Sequence, residues 1–214
     1  MESNNIRIIF AILISILTLS SQAQSAWELK KEDEGIMAYT RSRPGIKFNE
    51  YKVEMETKGT LSQALALFKD FSVHHELFPG TSDIKAMEDE GDHYVTYVKF
   101  NLPFPAKDRC GLFDNQLSFD RQTKTLTNSI TCLDDEIDSG PLQMTYCEGS
   151  WTFTDLGNGM LKITNQLIID PGGFAPAFIV NSKTVDDPIK TFKSLRVMIN
   201  NDKYRGHSFS LLEN

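Results

Sequence analysis

The residues able to do chemistry are few, and their spacing suits little of it. His74 and His75 are adjacent, so they share neither a helix face nor a strand face, and the chain has no HExxH spacing. No metal site is predicted, and both histidines are assigned to a loop or the surface. The chain has no GxSxG elbow, no Walker loop and no CxxC, and Gly172-Gly173 lacks the rest of a dinucleotide fingerprint. On these grounds no catalytic residue and no cofactor are predicted. Asp134-Asp135-Glu136 and Asp138, ahead of Gly140-Pro141, read as a solvated acidic turn rather than a calcium loop.

Three cysteines are too few for a disulfide-built scaffold. If the hairpin around Arg121 is symmetric, Cys110 lies opposite Cys132. If the turn near Ser139-Gly140 is symmetric, Cys132 lies opposite Cys147, and all three form a row on one sheet face. Three readings stay open: a Cys132–Cys147 disulfide in an oxidising compartment, a thiol metal site, or three small side chains filling a sheet face. The odd count leaves at least one thiol outside any disulfide within the chain.

These groups belong to a chain of 214 residues with 22 Lys and Arg, 29 Asp and Glu, and a net charge of −7. That length suits one ordinary domain, and an apolar fraction of 40% is enough to build its core. The acidic balance excludes nucleic acid as a main partner, because phosphate binding needs a surplus of Lys and Arg. Ile8 to Leu19 form an apolar run broken only by Ser15 and Thr18, with Arg7 before it and Ser20-Ser21-Gln22-Ala23 after it. That is the layout of a secretory signal, and it is short of the ~20 apolar residues of a spanning helix. Residues 1–23 are therefore read as a signal peptide, 24–204 as the domain and 205–214 as a tail. The mature chain is expected in the periplasm or outside the cell.

Within the domain, Ile36–Arg41 and Phe48–Thr57 flank Arg43-Pro44-Gly45 and predict a hairpin. Thr60-Leu61-Ser62-Gln63 has capping-box form, and Leu61, Ala64, Leu65, Phe68 and Phe71 continue it as an amphipathic helix. Residues 83–89, 93–101, 109–119, 124–132, 142–154 and 160–170 read as strands of an antiparallel meander, with turns at Glu90-Gly91-Asp92 and Leu156-Gly157-Asn158-Gly159. Pro171-Gly172-Gly173 ends the last strand, and Ala175–Lys183 reads as a short helix. Asp187 and Pro188 then have the form of an N-cap and first residue of a second helix. Its apolar face carries Ile189, Phe192, Leu195 and Ile199. The class is α+β.

Several strings resemble StAR-related lipid-transfer (START) domains. They are Gly149-Ser150-Trp151-Thr152-Phe153-Thr154, Leu156-Gly157-Asn158-Gly159, Asp170-Pro171-Gly172-Gly173, Pro176 and Asn181. Gly35-Ile36-Met37-Ala38-Tyr39-Thr40-Arg41 is similar to the family's opening strand, and Pro103-Phe104-Pro105 with Asp108-Arg109 to its Pro-x-Pro and Arg segment. The resemblance spans roughly residues 27–201. It implies a helix-grip fold, in which a curved antiparallel sheet wraps a long C-terminal helix around a tunnel for one lipid or other hydrophobic molecule.

The implied ligand-facing set is Arg109, Phe104, Phe113, Trp151, Phe178, Phe192, Leu195 and Ile199. Arg109 is its polar anchor, Phe104 a gate in the loop 101–108, and the helix residues a lid. Two departures from the family pattern remove charge: Cys110 follows Arg109 where Asp is common, and Gln143 stands where a second Arg is common. They imply either a less polar ligand or a pairing of Arg109 with Asp108 or Asp114. The expected function is non-enzymatic binding, and transfer, of a hydrophobic molecule by a monomer in transient contact with membranes. The alternative is a cyclase- or hydrolase-like enzyme of the same superfamily, which requires a buried His, Asp or Glu with a perturbed pKa in the tunnel.

Overall fold

The computed structural model describes residues 25–135, 137 and 140–213. The signal-peptide reading of 1–23 lies outside the described residues, as do Glu136 and Asp138 of the acidic turn. Side chains alternate between a buried and a more exposed face along β2 (Ile36–Ser42), β3 (Asn49–Lys58) and β6 (Arg109–Asp120), as strands covered on one side must. The remaining strands are β1 (Glu28–Asp33), β4 (Thr81–Asp89), β5 (His93–Phe100), β7 (Thr125–Leu133), β8 (Leu142–Gln143), β9 (Tyr146–Gly157) and β10 (Met160–Asp170). They form one curved sheet in the order β1-β2-β3-β10-β9-β7-β6-β5-β4, antiparallel throughout, with β8 pairing parallel to β6 off this path.

Between β3 and β4 the chain forms α1 (Leu61–Lys69), a 3-10 turn (Phe71–Val73) and α2 (His74–Leu77). The capping box at Thr60 is complete: the Gln63 N–H donates to Thr60 Oγ1 at 3.2 Å and the Thr60 N–H to Gln63 Oε1 at 3.0 Å. After β10 comes α3 (Ala177–Met198), then a 3-10 turn (Asp202–Tyr204) and α4 (Ser210–Glu213). Phe209, Leu211 and Leu212 of the tail pack partly against the core.

Three expectations are corrected, and one strand was not foreseen. The strand β1 carries the sequence ELKKED and is mostly exposed, so no apolar alternation announces it; backbone pairing with β2 alone makes it a strand. The long C-terminal helix is continuous, with Pro188 inside it. Asp187 is therefore not an N-cap; it pairs with Lys183 at 3.0 Å and Lys190 at 3.2 Å. An internal proline costs ~3 kcal/mol of helix stability, which burial of Pro188 and its neighbours Ile189 and Thr191 offsets. The run 142–154 is broken, because Met144 and Thr145 separate β8 from β9.

The last correction concerns the cysteines. The β6–β7 turn is centred between Gln122 and Thr123, since Asp120 pairs with Thr125, and Cys132 accordingly faces Phe113 rather than Cys110. Cys110 alternates to the sheet face opposite Phe113, where its Sγ lies 3.8 Å from the Pro141 carbonyl. Cys132 and Cys147 are joined by a disulfide with a Cα–Cα distance of 5.1 Å.

Gly149 in β9 stands where no side chain fits. A Cβ there would stand 2.2 Å from the Gln166 carbonyl oxygen and 2.7 Å from Leu167 Cα, both backbone atoms that have no room to yield. The disulfide closes a loop with a sequence separation of 15. Replacing both Cys132 and Cys147 by Ala is expected to lower the unfolding free energy by about 3 kcal/mol in urea titrations. Reduction of the wild-type protein should lower it by the same amount.

Candidate functional site

The second half of α3 lies tightly on the sheet. Phe192 stacks on Trp151 with ring centroids 5.3 Å apart and planes inclined at 23°, and Phe68 of α1 meets Trp151 edge-on at 5.1 Å. Phe192, Leu195 and Ile199 are each 0% exposed. Towards its N-terminus the helix offers the smaller Val180, Thr184 and Thr191, and between them and the sheet a cavity of ≈ 250 Å³ remains. That is near the lower end of small-molecule sites, roughly 300–1,000 Å³. Phe78, Ile84, Val98, Phe113, Ile130, Trp151 and Leu167 form much of its apolar wall.

Three asparagines interrupt that wall. Asn115 lies two residues from Phe113 and Leu117, Asn128 from Leu126 and Ile130, and Asn165 from Ile163 and Leu167; by strand parity all point inward. Each is 5% exposed or less. Asn165 Oδ1 accepts from the Tyr51 hydroxyl at 2.9 Å, and its Nδ2 donates to the Ser150 carbonyl at 3.0 Å. Asn115 Nδ2 donates to the Phe113 carbonyl at 2.9 Å and to Thr96 Oγ1 at 3.3 Å. Asn128 Nδ2 donates to the Tyr94 hydroxyl at 2.9 Å and to Asn115 Oδ1 at 3.1 Å.

His74 also lines the cavity, its Nε2 2.9 Å from the Phe68 carbonyl and its ring edge-on to Phe71 and Phe78. This corrects its assignment to a loop surface: the turn after α1 folds the residue inward, and it is only 5% exposed. Burial pushes the imidazole down to about 4, outweighing the upward pull of the Phe68 carbonyl and the Asp70 carboxylate, so the ring is neutral at pH 7. Burial and the Asp187 carboxylate push the Tyr51 phenol well above its ordinary range. Among the described residues no group of three or more His, Cys, Asp or Glu side chains is arranged to hold a metal.

Arg109 closes one end. It is 1% exposed, and burial lowers its pKa. Its Nε donates to the Pro171 carbonyl at 2.6 Å, Nη1 to the carbonyls of Lys107 at 2.5 Å and Asp108 at 3.4 Å, and Nη2 to those of Gly172 at 3.0 Å and Phe174 at 3.1 Å. The guanidinium has five N–H donors, and these five carbonyls use them. The expected pairing with Asp108 or Asp114 is not made: Asp108 lies 3.3 Å from Lys99, and Asp114 2.5 Å from His93. Arg109 thus clasps the loop 101–108 to the segment 171–174 instead of offering a charge to a ligand.

Of the predicted ligand-facing set, Arg109, Phe113 and Trp151 line the cavity. Phe192, Leu195 and Ile199 do not; they are spent in the core beneath the helix. Phe104 and Phe178 are 95% and 75% exposed. Phe178 lies in the first turn of α3, where Ile179 and Val180 carry the inward contact, and Phe104 projects from its loop. The polar groups Asn115, Asn128, Asn165, Tyr51 and His74 were missed. A readable signal existed for the asparagines: a single amide at an inward position of an otherwise apolar alternation.

No protein-family model matches the chain. An uncharacterized protein of Pseudomonas aeruginosa is 26% identical over 173 residues, which cover 79% of this chain and 85% of that one. The crystal structure of a STAR-related lipid transfer protein from Xanthomonas axonopodis superposes with a TM-score of 0.75 at 21% identity, covering 83% of this chain and 100% of that one. Human StAR-related lipid transfer protein 5 superposes with a TM-score of 0.72 at 13% identity, covering 93% and 98%. The chain therefore has the helix-grip fold of START domains, as the sequence resemblance implied.

Unfolded His74 takes up its proton near its ordinary value of 6.5, while in the folded protein it does so only at about 4. Stability is therefore expected to fall as pH drops from about 6.5 to 4, by up to ~3 kcal/mol, and His74→Gln should flatten that segment of the urea-derived pH profile. Asp70, held down to about 2 chiefly by Lys203 and Ser72, accounts for a separate loss below its ordinary 3.8 that the variant leaves in place. Arg109→Lys keeps the charge but supplies three donors for five carbonyls. It should cost about 2 kcal/mol and speed limited proteolysis within 101–108 and 171–174.

Proposed function

We propose that this protein binds one lipid or other hydrophobic small molecule in the cavity beneath α3, without chemistry, and carries it as a monomer outside the cytoplasm. The observation that carries this reading is the cavity: its wall is largely apolar, burial keeps His74 uncharged, and the charged side chains that border it are engaged within the protein, Arg109 by five carbonyls and Asp187 by Lys183. A few placed polar groups in an apolar hollow are what such a ligand requires. The likeness to the bacterial and human proteins named for lipid transfer supports the same reading.

Transient membrane contact is part of the proposal. Phe104, Phe174 and Phe178 are 95%, 73% and 75% exposed, on or beside the segments that Arg109 clasps at the cavity's end. Exposed aromatic groups gathered in one region mark an interaction surface, and a net charge of −7 weakens any hold on anionic headgroups. Among the described residues no helix is long and apolar enough to cross a membrane. The Cys132–Cys147 bond supports the export reading of residues 1–23, since disulfides persist in oxidising compartments.

A second reading, an enzyme, is favoured by one observation: His74 is a buried cavity histidine with a displaced pKa. A general base works best with a pKa near the working pH, and about 4 leaves His74 a weak one, so binding is preferred.

Native mass spectrometry after incubation with a lipid extract of the native host should show a one-to-one adduct; absence of any bound hydrophobic molecule overturns the binding reading. Phe104→Ser combined with Phe178→Ser should keep the adduct and slow ligand transfer between vesicles by about tenfold or more, as loss of two apolar anchors implies. Unchanged transfer would remove the membrane contact. A chemically altered ligand that disappears in His74→Gln would favour the enzyme.

A further inference from the structure

One atom in the cavity wall is left over. Among the described residues, Asn128 Oδ1 is the buried side-chain polar atom with no hydrogen-bond partner, in a residue that is 2% exposed and lines the cavity opposite Trp151 in register. Its identity as an oxygen follows from its neighbours. The Phe113 carbonyl can only accept, so the atom of Asn115 that faces it is Nδ2. Asn115 then presents Oδ1 to Asn128, which must answer with Nδ2, and the second Nδ2 proton goes to the Tyr94 hydroxyl. The remaining atom of Asn128 is an acceptor. Buried acceptors without partners are rare in folded proteins, and each one needs an explanation.

We propose that the ligand's polar group is an uncharged hydrogen-bond donor, an alcohol hydroxyl or an amide N–H, delivered to Asn128 Oδ1. The inference rests on the preceding reading that the cavity holds a hydrophobic molecule. A carboxylate or phosphate would set acceptors against this acceptor and a charge against a largely apolar wall, and Arg109, the buried cation at the cavity's end, is already used by five carbonyls. The Tyr94 and Thr96 hydroxyls beside this acceptor accept the amide protons of Asn128 and Asn115 and keep their own, so a neutral ligand group that both donates and accepts is also met. An ammonium group would carry a charge into an apolar wall, and Asp187, the acid that lines the cavity, is paired with Lys183 and Lys190. A neutral donor matches the unpartnered acceptor without either penalty.

Matched probes test this. 1-Dodecanol is compared with 1-methoxydodecane, and dodecanamide with N,N-dimethyldodecanamide; each pair differs in the donor proton and the methyl groups that replace it. Of the two tryptophans, Trp27 stacks under Arg41 away from the cavity, so Trp27→Phe leaves Trp151 as the fluorescence reporter. The donor member of at least one pair is expected to bind about tenfold tighter, the worth of one hydrogen bond, and the pair with the larger ratio identifies hydroxyl or amide. In Asn128→Leu that ratio should fall to near one while the methylated probe keeps its affinity.

Ratios near one for both pairs in the parent protein overturn the inference, since a water would then satisfy Asn128, and leave the binding reading standing. A ratio that persists in Asn128→Leu overturns it as well. Binding by no member of either pair would instead overturn the binding reading itself. If Asn128→Leu does not fold, the parent ratios decide alone.

Discussion

The stack of Phe192 on Trp151 sets the geometry of the interior, because it joins α3 to β9 in the middle of the sheet. On one side of that contact Leu195 and Ile199 fill the space completely, with Phe68 and Phe153 closing in from α1 and β9. On the other side the helix offers Val180, Thr184 and Thr191, too small to reach the sheet, and the hollow stays open. Trp151 belongs to both regions, as core to the helix and as wall to the cavity. Stability and binding are thereby separated along a single helix: the tightly packed half holds it down, and the loosely packed half leaves room.

Arg109 plays the corresponding part at the end of the hollow. A buried guanidinium is costly unless its donors are satisfied. Here backbone carbonyls from two loops far apart in sequence do so, and the charge organises the entrance rather than the ligand. Apart from the Asp187–Lys183 pair, the lining is left with uncharged polar groups, among them three amides, two phenols and an imidazole kept neutral by burial. Such a lining suits a ligand that is mostly hydrocarbon and only weakly polar.

Much of the architecture is legible in the sequence. The strands from 93 to 170 fell within a few residues of their observed bounds because their apolar alternation is regular, and the capping box at Thr60 marked the start of α1. Reading failed where local pattern and tertiary context disagree. The polar ELKKED segment became an edge strand through backbone pairing. Pro188 stayed inside a helix because its surroundings bury it. Cys110 missed the cysteine row because a four-residue turn, not a turn centred on Arg121, set the β6–β7 register. Phe178 and Phe192 looked alike as helix-face residues, yet one is exposed and the other fully buried.

The sequence by itself therefore determined most element types, the α+β order and the resemblance to START domains, since each depends on local periodicity or short motifs; it also carried a signal for the inward Asn115, Asn128 and Asn165 that went unread. Only the tertiary structure decided which inward residues meet the helix and which meet open space, and that Arg109 is a clasp while Asn128 keeps a spare acceptor. Those outcomes depend on how far α3 stands off a curved sheet and on hydrogen bonds between residues distant in the chain. No local period encodes that distance; it follows from the sizes of side chains that meet only once the sheet has closed around the helix.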